Sequence, residues 1–478
     1  MNLRFTAHLL GWLFILFGSF MLLPIVATLY YGESHVPFLA SAAICGAVGG
    51  LIVLLTRTAD RRIRPRDRFL IVAGAWVVVS TLGGLPYLIS GELGFADSIF
   101  EAASGITTTG STVLSDIEGW PRGLHLWRAF TQWLGGMGII VFTIAILPLL
   151  GIGGMQLFKA EVPGPTADKV RPRVAATARA LWGIYVGFTL LETVLLMFGG
   201  MSLFEAVCHS LTTISTGGFS TRNASVAGFE SAYIEWVIIL FMFLGGVNFV
   251  LHYRLLLGRD LRVFKDEELR YYVGLVFGSA VLITIGLIAG GAIDEGAFRT
   301  ALFQTLALLT TTGSATADFE VWPTAIQALI LGLLVVGGMA GSTSGGVKGL
   351  RIILSIRSLQ TTLWRLIHPH AVRPVKYGRH VVNDATLLGI WGFLTAYLLI
   401  MAAQAIFLGA LGYDVVTAFS ASLTAIGNVG PGLGEVGPFD NFAHFPAAAK
   451  LVLAATMVLG RLEIFTFLVF LSPEFWRR

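Results

Sequence analysis

The chain has 478 residues, of which 55% are hydrophobic and 13% charged, with a mean hydropathy of +0.79. No water-soluble fold hides that much apolar surface, so the bilayer is its solvent. The net charge of +4 and the pI near 9.1 come from bases gathered in a few loops, a pattern of membrane topology and anionic headgroups that excludes a nucleic-acid surface.

The first apolar run, Leu9 to Tyr30, follows Arg4. It is too long for a secretory signal and lacks a small-residue cleavage site, so a retained helix is expected. Further runs follow at Val36 to Leu55, Phe69 to Ser90, Leu126 to Leu150, Ala180 to Phe198, Tyr233 to His252, Tyr271 to Ile293, Leu387 to Leu408 and Ala447 to Leu471. Most approach the roughly 20 residues that a spanning helix needs. Bases cluster in alternate loops, Arg57 to Arg68, Lys159 to Arg179, Arg254 to Arg270, Arg351 to Arg379, and at Arg477 and Arg478. The positive-inside tendency makes those loops cytoplasmic, and both termini with them. The loops between carry acids such as Glu33, Asp116, Glu230, Glu320 and Asp440 and face outward. Cys45 and Cys208 both sit in apolar stretches, so neither a disulfide framework nor a thiolate metal site is expected.

Four segments align without gaps: Ala102 to Gly110 (AASGITTTG), Ser210 to Gly218 (SLTTISTGG), Thr305 to Gly313 (TLALLTTTG) and Ser422 to Gly430 (SLTAIGNVG). Each follows an apolar stretch too short to cross a bilayer, beginning near Phe95, Ser202, Gly296 and Tyr413. A spanning run flanks each loop on either side, so the repeating unit is helix, pore loop, helix. The expected fold is an all-α polytopic membrane protein: four pseudo-symmetric repeats around one central pore, plus two extra N-terminal helices. The boundaries fall at residues 1–60 for the extension and 61–160, 161–262, 263–370 and 371–478 for the repeats, with about ten spanning helices and four short ones.

Non-helical backbone at membrane depth is tolerated only where it is buried in protein or lines a wet cavity. Four such loops facing one axis would line that cavity. Glycine lets the chain take positive φ and turn carbonyls toward the axis, where they replace a cation's hydration shell, and neighbouring threonines add hydroxyl oxygens. The candidate ion-binding residues are Thr108, Thr109 and Gly110, then Thr216, Gly217 and Gly218, then Thr311, Thr312 and Gly313, then Asn428, Val429 and Gly430. Acids near the outer, N-terminal end of each short helix (Asp97 with Glu101, Glu205, Asp294 with Glu295, Asp414) leave the negative dipole end at the pore centre, which favours a cation. Close helix packing by small residues is the competing explanation. It does not account for four aligned loops that each follow a short helix.

The stretches TTTGST from Thr107, STGGFST from Ser215, TTTGSAT from Thr310 and GNVGPGLG from Gly427 resemble the Trk/Ktr/HKT superfamily of potassium transporters, most like its bacterial Trk-type membrane subunits. The likeness covers nearly the whole chain, and the two extra N-terminal helices favour the Trk branch over the shorter Ktr branch. It implies potassium selectivity with filter glycines at Gly110, Gly218, Gly313 and Gly430. Some plant relatives that prefer sodium carry serine at the first of these positions, so Gly110 favours potassium. The loops differ from one another, so fewer well-formed ion sites are expected than in a homotetrameric channel. The resemblance further implies a homodimer in the bacterial inner membrane, controlled by a cytosolic nucleotide-binding subunit of the RCK (KTN) type. No covalently bound cofactor is expected, K+ is the transported ion, and no Rossmann fingerprint is present, so nucleotide control would come through that partner. The basic loops Lys159 to Arg179 and Arg351 to Arg379 are candidate docking surfaces, with the positive-inside anchor as their simpler explanation.

In the third repeat the run Trp322 to Val336 is too short to span before it meets GGMAGSTSGGVKG, so that helix breaks in mid-membrane and resumes at Leu350. Gly341, Gly346 and Lys348 superficially resemble a phosphate-binding loop, but the required GK[ST] order is absent. The family resemblance implies a gate here, below the filter, at Gly337, Gly338, Gly341, Ser342, Thr343, Ser344, Gly345, Gly346, Lys348 and Gly349. A glycine kink is the plainer alternative. Arg461 stands inside the last apolar run, where contact with lipid would cost about 2.5 to 3.5 kcal/mol. It should face the pore or a partner group, since Glu463 two positions on is poorly placed to pair with it, and the resemblance puts such an arginine in the permeation path. Glu192 is expected to be buried, without a defined role. Alternative functions are a Na+- or H+-coupled symporter, or a non-conducting polytopic enzyme or scaffold. The latter needs a cluster of acids, histidines or nucleophiles at one depth, and none is visible.

Overall fold

Uninterrupted apolar runs leave the backbone no partner in lipid except itself, so they form helices. The computed structural model describes residues 1–60, 64–141, 170–291, 296–370, 372–378 and 380–477. Asp294, Glu295, Arg379, Arg478, the end of the Leu126 to Leu150 run and most of the basic stretch from Lys159 lie outside the described residues.

Long apolar crossings are seen at Leu3–Tyr31, Val36–Thr56, Arg66–Ser90, Ala176–Phe198, Glu267–Ala289 and Asp384–Ala410. Leu16, Leu54, Leu190, Leu282 and Ile406 project outward from them, a surface that only acyl chains satisfy. The two extra N-terminal helices cross closely: a Cβ at Gly49 would lie 2.7 Å from the Gly11 carbonyl oxygen, the small-residue contact that holds membrane helices together.

Two runs expected to be continuous are broken. Tyr233 to His252 divides into Ala232–Gly246 and Phe249–Leu256, bent by 99°, and Ala447 to Leu471 divides at Arg461, with a bend of 105°. At the first bend the Asn248 side chain accepts from the Val250 amide at 2.8 Å and starts a new helix. At the second, Glu463 and Ile464 take φ of 63° and 48°, which no helix can propagate through. The third repeat is broken as expected, between Thr324–Val336 and Gly349–Ile367.

The short helices are Phe95–Ile106, Leu203–Ile214, Ala297–Leu309 and Val415–Gly427. Each packs on the helix that follows the loop of the preceding repeat: the first on Ala447–Arg461, the second on Arg122–Val141, the third on Ala232–Gly246 and the fourth on Thr324–Val336. That order closes the repeats into a ring, with the last repeat against the first.

Candidate ion pathway

Each short helix has 12 or 13 residues, about half of what a crossing needs, and ends at the centre of the ring. The second and fourth are capped by side chains at their outer ends, and the first carries an acid in its first turn. Ser202 accepts from the Glu205 amide while Glu205 reaches back, and Asp414 accepts from the Val416 amide at 2.8 Å and the Thr417 amide at 3.1 Å. Asp97, in the first turn of its helix, pairs with Lys450 at 2.5 Å. Glu101 departs from the expectation. It lies in mid-helix, fully buried, where it pairs with Arg128 at 2.5 Å and accepts from the Val113 amide at 3.0 Å, so it braces a loop and does not mark the helix's outer end.

Past the short helices the loops repeat one backbone conformation. Thr108, Thr216, Thr311 and Asn428 occupy the left-handed region with φ of 54°, 54°, 59° and 54°. Two residues on, Gly110, Gly218 and Gly313 return to positive φ at 86°, 76° and 75°, whereas Gly430 is not among the positive-φ residues. Such alternation turns carbonyls away from the ladder of a helix or strand, the geometry that ion filters use to present them to a central ligand. The loops touch around the ring. A Cβ on Gly110 would collide with the Gly217 carbonyl oxygen, and one on Gly218 with that of Thr312. One on Gly313 would lie 2.9 Å from the Gly430 nitrogen, and one on Gly430 3.2 Å from the Gly110 oxygen. All twelve candidate filter residues are thereby brought to one place, and each loop adjoins the next.

Side chains behind the ring fix it. Gln132 donates to the Gly217 carbonyl at 2.7 Å and accepts from the Phe219 amide at 3.2 Å. Arg128 donates to the Ser220 carbonyl at 3.1 Å with its guanidinium 3.7 Å from the centre of the Phe219 ring, so the Glu101–Arg128 pair couples the first loop to the second. Asn428 donates to the Thr109 hydroxyl at 3.1 Å and the Met457 carbonyl at 2.8 Å, joining the fourth loop to the first. A cavity of about 100 Å³ opens on the outer side of Gly110, Gly218, Gly313 and Gly430. Beyond it Glu320 accepts from the Gly434 amide at 2.6 Å, and partial burial pushes its carboxyl above the usual range.

On the opposite side, the Gly337 to Gly349 segment lies directly against the inner ends of the short helices. Thr343 donates to the Ile214 carbonyl at 3.1 Å and the Gly245 carbonyl at 3.0 Å, the Gly345 amide donates to the Thr311 hydroxyl at 2.7 Å, and the Gly346 amide to the Gly427 carbonyl at 2.8 Å. Three of the four loops or their helices are thus bonded to the segment from below. The turns need left-handed backbone at Gly337, Gly341, Gly346 and Lys348. Gly338 and Ser342 stabilise it internally, through the Gly338 amide to the Ser344 hydroxyl at 3.1 Å and the 2.6 Å contact between the Ser342 and Ser344 hydroxyls. Lys348 donates to the Ser344 carbonyl, folding its ammonium back over the segment. Arg461, the last residue of its helix, reaches the Thr343 carbonyl at 2.8 Å. Glu463 pairs with Arg351, a partner that the sequence did not suggest, and not with Arg461.

The profile of the TrkH family, cation transport proteins, matches residues 34–478. This chain belongs to the TrkH family. It is 40% identical to the Trk system potassium uptake protein TrkH of Salmonella typhimurium, with 100% of each chain covered, and 34% identical to the TrkG protein of Escherichia coli K12, covering 100% of this chain and 99% of the relative. It superposes on the crystal structure of the potassium transporter TrkH from Vibrio parahaemolyticus with a TM-score of 0.92 at 37% identity over 100% of both chains. In this TrkH-family chain the residues that sequence reasoning passed over are Arg128, Gln132, Asn248 and Glu268, single polar residues in apolar surroundings without a repeating pattern. Their signal is cost, because a polar group in that setting needs a partner. Glu192 is buried as expected, and neither of its oxygens has a hydrogen-bond partner among the described residues.

Proposed function

We propose that this chain conducts potassium into the bacterial cell through the ring of loops, without catalysis, in the manner of a channel. The observation that carries the reading is the repetition of one left-handed backbone position at Thr108, Thr216, Thr311 and Asn428, in loops that close on one another. Carbonyls presented from four sides suit a dehydrated monovalent cation, and four helix C-termini aimed at the same point favour positive charge. Thr108, Thr109 and Gly110 and their counterparts form the selectivity filter, within repeats bounded at residues 61–160, 161–262, 263–370 and 371–478. The relatives, potassium uptake proteins and a potassium transporter by name, agree with that cargo.

The Gly337 to Gly349 segment is the gate. Its bonds to the Ile214 and Gly427 carbonyls and the Thr311 hydroxyl support that reading, and Arg461 adds a positive charge that repels cations while the segment is seated. Both termini lie in the cytoplasm of a bacterial cell with this protein in its inner membrane. The protein works as a homodimer under a cytosolic nucleotide-binding subunit of the RCK type, docked near the basic loops, and the nucleotide belongs to that partner.

The test is uptake of potassium or rubidium into liposomes holding the purified protein, with and without imposed sodium or proton gradients. Flux driven by the potassium gradient alone is expected. Flux that appears only with a second ion gradient overturns the channel reading in favour of coupled transport.

A further inference from the structure

We propose that Glu268 is the latch of the gate, a positioning residue that holds the Gly337 to Gly349 segment seated while touching no ion itself. The proposal rests on the gate reading above. Glu268 is the second residue of the Glu267–Ala289 helix, 1% exposed, at the cytoplasmic start of the third repeat. Its Oε1 accepts from the Ala340 amide at 2.8 Å and from the Leu350 amide at 2.9 Å. Those two amides flank the glycine-rich turn, one ahead of Gly341 and one after Gly349. A single carboxyl oxygen therefore ties the chain on both sides of that turn to a helix that is not part of it.

The helix does not need Glu268 for itself. Its start is capped by Asp266, whose side chain accepts from the Leu269 amide at 2.9 Å. The preceding Glu267 turns the other way, accepting from the Gly378 amide at 2.9 Å and pairing with Arg357. Apart from Arg461 on the Thr343 carbonyl and the Phe249 amide on the Gly341 carbonyl, the bonds that seat the segment on the loops and the second repeat go to carbonyls and a hydroxyl: Gly245, Gly246, Ile214, Gly427 and Thr311. Loss of one acceptor oxygen shared by two buried amides leaves both of them unpaired, which costs more than the loss of any single one of those bonds. The segment cannot swing out of the pathway unless both amides leave Glu268 or the start of this helix moves with them. That start joins directly to the cytoplasmic stretch Leu261–Asp266, so a displacement there reaches the gate through one side chain.

The test compares Glu268→Gln, Glu268→Asp and Glu268→Ala in the full-length protein reconstituted alone, read as basal rubidium uptake and its half-saturation. Deletion of Gly341 to Gly346 is measured alongside. Gln keeps an acceptor oxygen at the same reach, so basal uptake near that of the parent is expected. Asp is one methylene short and Ala has no acceptor, so both are expected to leak several-fold more with half-saturation unchanged. If Ala does not assemble, the Asp and Gln pair still decides. Asp at the parental rate, or Gln as leaky as Asp, overturns the latch. When the deletion leaks and Asp does not, the latch fails and the gate stands. When the deletion itself does not leak, the gate reading fails.

Discussion

Gly110 has φ of 86° and faces the Gly217 carbonyl at a spacing that admits no Cβ. Any side chain there meets a backbone penalty of roughly 1–2 kcal/mol and also pushes on the Gly217 carbonyl that Gln132 holds in place. Gly110→Ser is therefore expected to lower the preference for potassium over sodium, measured as rubidium uptake in competition with sodium. An unchanged ratio removes Gly110 from the filter. Arg128 sits differently, since it touches no candidate ion ligand through its side chain yet neutralises a fully buried carboxylate. Arg128→Met removes the ion-pair partner of the buried Glu101, at a cost of about 3–5 kcal/mol, and thermal melting in detergent should fall accordingly. Adding Glu101→Gln should recover much of the loss. The glycine was legible because it recurs at one offset in four segments. The ion pair was not, because its partners are on different helices and Glu101 was taken for a helix-start acid among apolar neighbours.

Among the elements, the third broken helix was legible from its glycines, while the other two breaks were not. Apolarity alone runs straight through Tyr233 to His252, although Gly245 and Gly246 ahead of Asn248 are a helix stop followed by a helix start. The break matters because it exposes the Gly245 and Gly246 carbonyls to Thr343 and Met339 of the Gly337 to Gly349 segment. Thr343→Val keeps the shape and removes both hydroxyl bonds, so basal uptake should rise modestly. An unchanged rate would show that the seat depends on the backbone alone. Deleting Gly341 to Gly346 removes the turn that lies under the ring and is expected to raise basal uptake strongly. Lower uptake in a folded protein argues against a gate.

Over the whole molecule, basic and acidic loops alternate, and crossings packed in cyclic order leave apolar side chains outward and polar backbone inward. The all-α class and the fourfold repeat were legible because hydropathy and the positive-inside tendency act on the chain at every crossing. The closure of the last repeat on the first was not, since nothing in a linear pattern tells a ring from a row. Reporter fusions test the topology: an alkaline phosphatase joined after Arg478 should be inactive, as a cytoplasmic terminus requires, whereas an active fusion reverses the assignment.

The fourth loop carries Asn428, Val429 and Gly430 where the others carry threonines and glycines, and Gly430 lacks the positive φ of its three counterparts. A pore assembled from identical subunits changes all four walls with every mutation. Here one gene encodes each of the four walls separately, so a substitution alters a single quarter of the ring. Selectivity in such a protein can be tuned by graded steps, and its intermediates need not pass through a dead channel.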